Sequence, residues 1–190
     1  GNFAAALLHH DKTAPLPFET MAGVVTATFE KDGNVTVNLT NPHSMQLFVL
    51  NADPTVGADV HFLNTGVPHA VAFLDKLEDL NISRLGAYLR YHEAFSPKGT
   101  NANFARILSP GHIAIRTYER GVEDETLACG TGMTACALLH AVLADAPSPI
   151  QVDVAGGDTL KVGFQRTGDR FTDVTLTGPA DLVFTGDIQI

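Results

Sequence analysis

EDETLACGTGM, residues 123–133, sets one cysteine, Cys129, between a strand-like run and a helix opened by glycine. Gly130, Thr131 and Gly132 let the backbone turn tightly, and the apolar helix formers MTACALLHAVLAD follow from Met133. The spacing predicts a strand, a sharp turn and a helix whose first residues flank the sulfur. The free N–H groups and positive dipole end of such a helix lower a thiol's pKa below its usual value of about 8.5. They also hold anions such as a carboxylate. Cys129 therefore reads as a reactive thiolate; the plainer reading is a buried small residue at a tight turn. Cys136 lies about two helical turns further on, inside the apolar stripe, and reads as an inert core thiol.

Outward from this turn, the 190 residues are 45% hydrophobic, enough for one substantial core or two small ones. A net charge of −9 with only 12 Lys and Arg leaves no basic face for nucleic acid or an anionic membrane, so a small molecule is the expected partner. No apolar run reaches the roughly 20 residues of a membrane span, and no basic-then-apolar leader is read at the start. Two cysteines do not make a disulfide framework, and a reducing cytoplasm is the expected compartment. No set of His, Cys or carboxylates has zinc-ligand spacing, and no metal or other cofactor is expected. The chain opens on Gly1 rather than Met, which reads as a processed, tagged or incomplete start.

Asn2 to His10 has a helical pattern that two prolines end by Pro17. Val24 to Phe29 and Val35 to Leu39 alternate around a Lys31–Asn34 turn, the pattern of a hairpin. Strands are expected over Met45–Leu50, Val60–Asn64 and His69–Leu74, the last after the turn Thr65-Gly66-Val67-Pro68. Leu85, Tyr88, Leu89 and Tyr91 form one face of a helix over Arg84–Phe95. Asn103–Leu108 and Ile113–Tyr118 read as strands leading into the cysteine turn; after its helix come strands at Ile150–Val154, Leu160–Phe164, Val174–Leu176 and Leu182–Ile190. Short strands and hairpin-sized turns imply an α+β fold with antiparallel sheets curled around or against a few helices. The segment opened by Gly1-Asn2 and that opened by Gly130-Thr131 share a helix-then-strands layout, a weak internal repeat.

The series NTGVPHAVAF, TNANF, GHIAIRTYERGVEDETLACGTGMTACALL and GPADLVFTGDI, running from about Val60 to the C-terminus, resembles the diaminopimelate epimerases. The resemblance implies a cofactor-independent interconversion of L,L- and meso-diaminopimelate. It also implies two pseudo-symmetric domains, each an antiparallel barrel-like sheet around a central helix, facing one another across a cleft. In that scheme residues 1–43 with 178–190 are the remnant of an incomplete first domain, and 44–177 are the second domain carrying Cys129. By position, Cys129 matches the second domain's catalytic cysteine, while Gly130 and Thr131 match donors that hold substrate. Glu119 and Arg120 match the pair recognising the distal amino-acid end, Asn101 matches a substrate-binding asparagine, and His69 matches a histidine near the reacting centre. A homodimer is left open.

Three departures accompany the resemblance. Val67 stands where the family often has Asn. The first-domain motif, Cys-Gly-Asn-Gly with a second cysteine, is met at most by Gly1-Asn2, with Phe3 and Ala6 in place of glycine and cysteine. In that register the partner cysteine precedes Gly1; in another, which aligns the Ala-rich stretch and His9-His10 further along, Gly1 and Asn2 match nothing catalytic. The family's sequence before that motif is missing.

Abstraction of an α-proton without a cofactor leaves a carbanion with no electron sink, so helix N-termini and donors must stabilise the charge. Inversion further requires an acid and a base on opposite faces of a flat centre. Cys129 supplies one of them. Plainer readings stand beside the others: Glu119-Arg120 as a surface ion pair, Asn101 and Asn103 as turn formers, His69 as a satisfied half-buried histidine, and His9-His10 as charge at a helix end. The competing functions are an inactive fragment or binding module that keeps only this half-site, a related isomerase, and a cysteine hydrolase or transferase using His69 or His112.

Overall fold

The computed structural model describes residues 14–20, 23–180 and 186–187. The helix expected at Asn2–His10 and the motif reading of Gly1-Asn2 lie outside the described residues, as does the closing strand apart from Gly186 and Asp187. The chain order is β1 (Leu16–Thr20), β2 (Gly23–Phe29), β3 (Val35–Asn38), β4 (His43–Asp53), β5 (Ala58–Asn64), β6 (Pro68–Phe73), α1 (Ile82–Arg90), a short 3-10 turn (Glu93–Phe95), β7 (Asn101–Ser109), β8 (His112–Glu119), β9 (Asp124–Thr126), α2 (Gly130–Leu143), β10 (Ile150–Asp153), β11 (Thr159–Thr167) and β12 (Arg170–Gly178). The helix expected at Arg84–Phe95 starts earlier because Asn81 caps it, its Oδ1 accepting from the Arg84 N–H at 3.0 Å. It ends at Arg90, and His92 then caps the separate 3-10 turn by accepting from the Ala94 N–H at 3.2 Å.

Among the described residues, 12 strands join in one sheet, in the order β1-β2-β3-β12-β11-β10-β8-β7-β6-β5-β4, with β9 added beside β8. The α+β character is as expected, but the barrel-like sheets are not found. The path is open, with β1 and β4 at its ends, and it is continuous from β3 into β12. Nor is the sheet all antiparallel: β6 runs parallel to β7 and β8 parallel to β10. The reason lies in the connections. A parallel pair cannot be closed by a hairpin and needs a crossover, and the helical segments provide it. Thus α1 lies between β6 and β7 in sequence and α2 between β9 and β10, so the helices join neighbouring strands of one sheet instead of filling two barrels.

The two helices occupy opposite faces. Ala70, Ala72, Ala102, Phe104 and Tyr118 pack with Ile82, Leu85 and Leu89 of α1. The intervening residues Val71, Ala105, Ile113 and Ile115 pack with Met133, Cys136, Leu138 and Leu139 of α2. Successive residues of a strand point to opposite faces, so β6, β7 and β8 are buried on both sides. Every residue of α2 from Gly132 to Ala141 is buried, and the helix touches strands β5 to β8 and β10 to β12. A helix apolar all round requires that enclosure. No helix among the described residues is long and apolar enough to cross a membrane.

Candidate active site

The acidic run before the cysteine braces the backbone. β8 and β9 pair through Tyr118–Glu125 and Glu119–Asp124. Glu125 receives two 2.7 Å hydrogen bonds from Arg116, Asp124 accepts from the Ser83 hydroxyl at 2.9 Å, and Glu123 accepts from Arg90 at 3.1 Å. Two of these partners sit on α1, so the hairpin is tied to that helix just before the chain turns to Cys129. A bidentate arginine–carboxylate pair adds directional rigidity.

Cys129 is the residue capping α2, extended at φ −131° and ψ 106°, and its carbonyl accepts the first intrahelical bond, from Met133 N–H at 2.8 Å. The N–H groups of Gly130, Thr131 and Gly132 therefore precede that bond and open the helix without intrahelical partners. The sulfur lies 3.5 Å from the Thr131 hydroxyl, and the residue is 8% exposed. Burial pushes the thiol pKa up; the Thr131 hydroxyl and the Gly132 and Thr131 N–H groups pull it down, and the Glu119 carboxylate adds to the rise. The expected lowered pKa is thus reversed. The donors are where the sequence places them, but desolvation of the thiolate outweighs them. At rest Cys129 is a protonated thiol with stabilising donors beside it. Cys136 is fully buried, and burial drives its thiol far above the usual range, as a core residue requires.

His69 begins the buried part of β6 and is 0% exposed. Its Nδ1 lies 3.2 Å from the side-chain nitrogen of Asn103, and its Nε2 is buried with no partner among the described residues. Burial, then the Arg120 guanidinium, lower its pKa to about 3, so the ring is neutral. Asn101 and Asn103 are not local turn formers. Asn101 bridges two loops, donating to the Pro68 carbonyl at 2.9 Å and accepting from the Arg120 N–H at 2.8 Å. Asn103 donates to the Ala70 carbonyl at 3.0 Å and accepts from the Thr117 hydroxyl at 3.0 Å.

Glu119 and Arg120 do not pair with each other. The Arg120 guanidinium donates to the Lys98 carbonyl at 3.2 Å, and the Glu119 carboxylate has no hydrogen-bond partner among the described residues. The strand ends formed by the starts of β6 and β7 and the close of β8, here the cysteine edge, thus gather Cys129, Gly130, Thr131, Glu119, Arg120, Asn101 and His69. Beside it opens a cleft of about 410 Å³, lined by Arg120, Lys98, Asn64, Val67, Pro68 and Gln46 among others. Cys129 does not line this cleft. The cleft adjoins the cysteine edge through Pro68, next to His69, and Arg120, next to Glu119.

The hydrolase reading loses its base. His112 starts β8, seven residues before Glu119, and binds Asp153 at 2.9 Å; a strand of that length puts it roughly 20 Å from the cysteine edge. His69 is engaged by Asn103 rather than by the sulfur. Sequence reasoning missed Thr65 and Thr117. Thr65 donates to the Thr131 carbonyl at 3.0 Å, tying the turn before β6 to the first turn of α2. Neither stands in a recognisable motif. Among the described residues no group of three or more His, Cys, Asp or Glu is placed to hold a metal ion.

The mixed sheet with crossover helices on both faces is a fold shared with solved structures. A probable proline racemase from Agrobacterium radiobacter superposes over 93% of this chain and 62% of its own, with a TM-score of 0.68 at 21% identity. A PhzF-family phenazine biosynthesis protein from Bacillus anthracis superposes over 93% and 69%, with a TM-score of 0.65 at 15% identity. At these identities the likeness concerns the fold.

The sequence narrows the class to one family. Residues 61–183 match the diaminopimelate epimerase family model, and the chain belongs to that family. The diaminopimelate epimerase of Aquifex aeolicus is 43% identical over 174 residues, covering 90% of this chain and 61% of the relative. That of Hydrogenobaculum sp. is 40% identical over 188 residues, covering 96% and 66%. The chain therefore spans about three fifths to two thirds of the length of these relatives.

Proposed function

We propose that this chain carries one half of a two-base epimerase site, in which Cys129 exchanges a proton with the α-carbon of diaminopimelate. The observation that carries the reading is Cys129 at the start of α2, its sulfur beside the Thr131 hydroxyl and the Gly132 and Thr131 N–H groups. In the direction the resting thiol favours, a base on the opposite face removes the α-proton and Cys129 delivers its own to the near face. The N–H groups of Gly130 to Gly132, which lack intrahelical partners, would stabilise the charge that builds on the substrate carboxylate. The thiolate left on Cys129 is then held by the Thr131 hydroxyl, and the Glu119 carboxylate beside it favours return of a proton. Arg120 and Asn101 would receive the distal amino-acid end; the cleft beside them has room for it.

In this reading residues 44–177 are the second domain, and the opposing base belongs to the first, to which residues 1–43 and 178–190 contribute. Val67 removes one side-chain amide from the substrate's surroundings, and Gln46 and Asn64 line the same cleft. The test is α-proton exchange with heavy water from each stereoisomer, using the full-length protein. Cys129→Ala is expected to reduce exchange by about a hundredfold or more, the worth of a general acid or base. Exchange indifferent to Cys129 overturns the proposal. Binding of a substrate analogue by the full-length protein without exchange would identify a binding module, and exchange of proline but not diaminopimelate a related racemase.

A further inference from the structure

We propose that Asn103 is the positioning residue of this site, a buried carboxamide that fixes the ring of His69 with one end and seats the start of the Cys129 helix with the other. The proposal deepens the reading above, and rests on it for the role of Cys129.

The orientation of the carboxamide follows from one neighbour. The Ala70 carbonyl can only accept, so the group 3.0 Å from it is the Asn103 NH2. The same nitrogen lies 3.2 Å from His69 Nδ1, so that ring nitrogen must accept and the proton of the neutral ring sits on Nε2. The Thr117 hydroxyl, at 3.0 Å, donates to the remaining oxygen and closes the arrangement. Asn103 is 0% exposed and Nε2 of His69 is buried without a partner among the described residues. A buried N–H donor left unsatisfied is costly, and such a group is retained where something else engages it.

The oxygen end faces the helix. A methyl group on Gly132 would collide with Asn103 Oδ1, and the same position lies 3.4 Å from the Cys129 sulfur and its Cβ. The carboxamide, the bare glycine and the thiol therefore form one packed contact. Parallel pairing of β6 with β7, which sets Val71 opposite Asn103, places the carboxamide between the histidine strand and the helix. One side chain thus sets both the hydrogen-bonding sense of His69 and the seat of the donors around Cys129.

Two measurements test this without requiring turnover. Nitrogen NMR of the His69 ring in the wild-type chain is expected to show a neutral Nε2–H tautomer. In Asn103→Ala the ring is expected to lose that single tautomer. The vacated volume would also admit water beside Gly132, easing ionisation of Cys129 and raising its alkylation rate at neutral pH by about tenfold. A wild-type Nδ1–H tautomer overturns the proposal, as does a folded Asn103→Ala that leaves the His69 spectrum and the Cys129 rate unchanged. Because neither readout depends on proton exchange from substrate, failure of the epimerase reading remains distinguishable from failure of this one.

Discussion

The side-chain oxygen of Asn101 accepts a 2.8 Å hydrogen bond from the backbone N–H of Arg120, and its nitrogen donates to the Pro68 carbonyl at 2.9 Å. The residue clamps the corner that presents Arg120 to the turn that precedes His69. Asn101→Ala leaves a half-buried donor, the Arg120 N–H, and a half-buried acceptor, the Pro68 carbonyl, without these partners, and should cost about 1–2 kcal/mol in urea unfolding. A loss below about 0.5 kcal/mol would mean that water replaces both bonds.

Gly86 lies in the middle of α1, where alanine ordinarily stabilises a helix by about 0.5–1 kcal/mol. Here the added methyl would meet Cβ and Cγ of Tyr118, atoms near the β8 backbone that cannot swing away. Gly86→Ala is therefore expected to destabilise, by about 1–3 kcal/mol, reversing the sign that helix propensity predicts. Thermal unfolding of the pair of proteins decides it.

His69 makes stability fall in acid. Burial, then Arg120, lower its folded pKa from 6.5 to about 3, so below pH 6.5 the unfolded chain takes up a proton that the folded chain refuses. Its contribution is fully present above pH 6.5 and is lost progressively as pH falls toward about 3, with a slope near 1.4 kcal/mol per pH unit for one such group. Burial also lowers the pKa of His61 and His140, which add to the slope in the same direction. His69→Gln should flatten unfolding free energy measured between about pH 6 and 4; an unchanged slope would assign the acid sensitivity to the other two histidines or to carboxylates.

Cys129 and Cys136 should separate cleanly under iodoacetamide. With its pKa above the usual thiol value, Cys129 should be alkylated slowly at neutral pH, with a rate that keeps climbing through pH 9 rather than levelling off below it. Cys136, fully buried in α2, should react only on unfolding. Peptide mass spectrometry follows both, and an early plateau for Cys129 would show a thiolate at rest.

Most strands and both described helices could be read from the sequence because their signals are local: alternation in VTVNL, a helical face through Leu85 and Leu89, glycines before an apolar helix. The start of α1 was misplaced because the cap, Asn81, stands outside the periodic run. The joining of strands into one open sheet was missed, since pairing β8 with β10 depends on a crossover of some 30 residues that no local pattern reports. Asn103 was visible as a residue, two places from Asn101 and so on the same side of β7, but its partners come from β6, β8 and α2.

The sequence by itself determined that a cysteine opens a helix, and the motif around it was specific enough to place the chain in its family. Only the tertiary structure decided the protonation of that cysteine and the tautomer of His69. Both depend on how much water is excluded and on which atoms face the group. Both are set by strands distant in sequence, and at Cys129 the cost of burying a thiolate exceeds the help of the helix-end donors that local sequence reports.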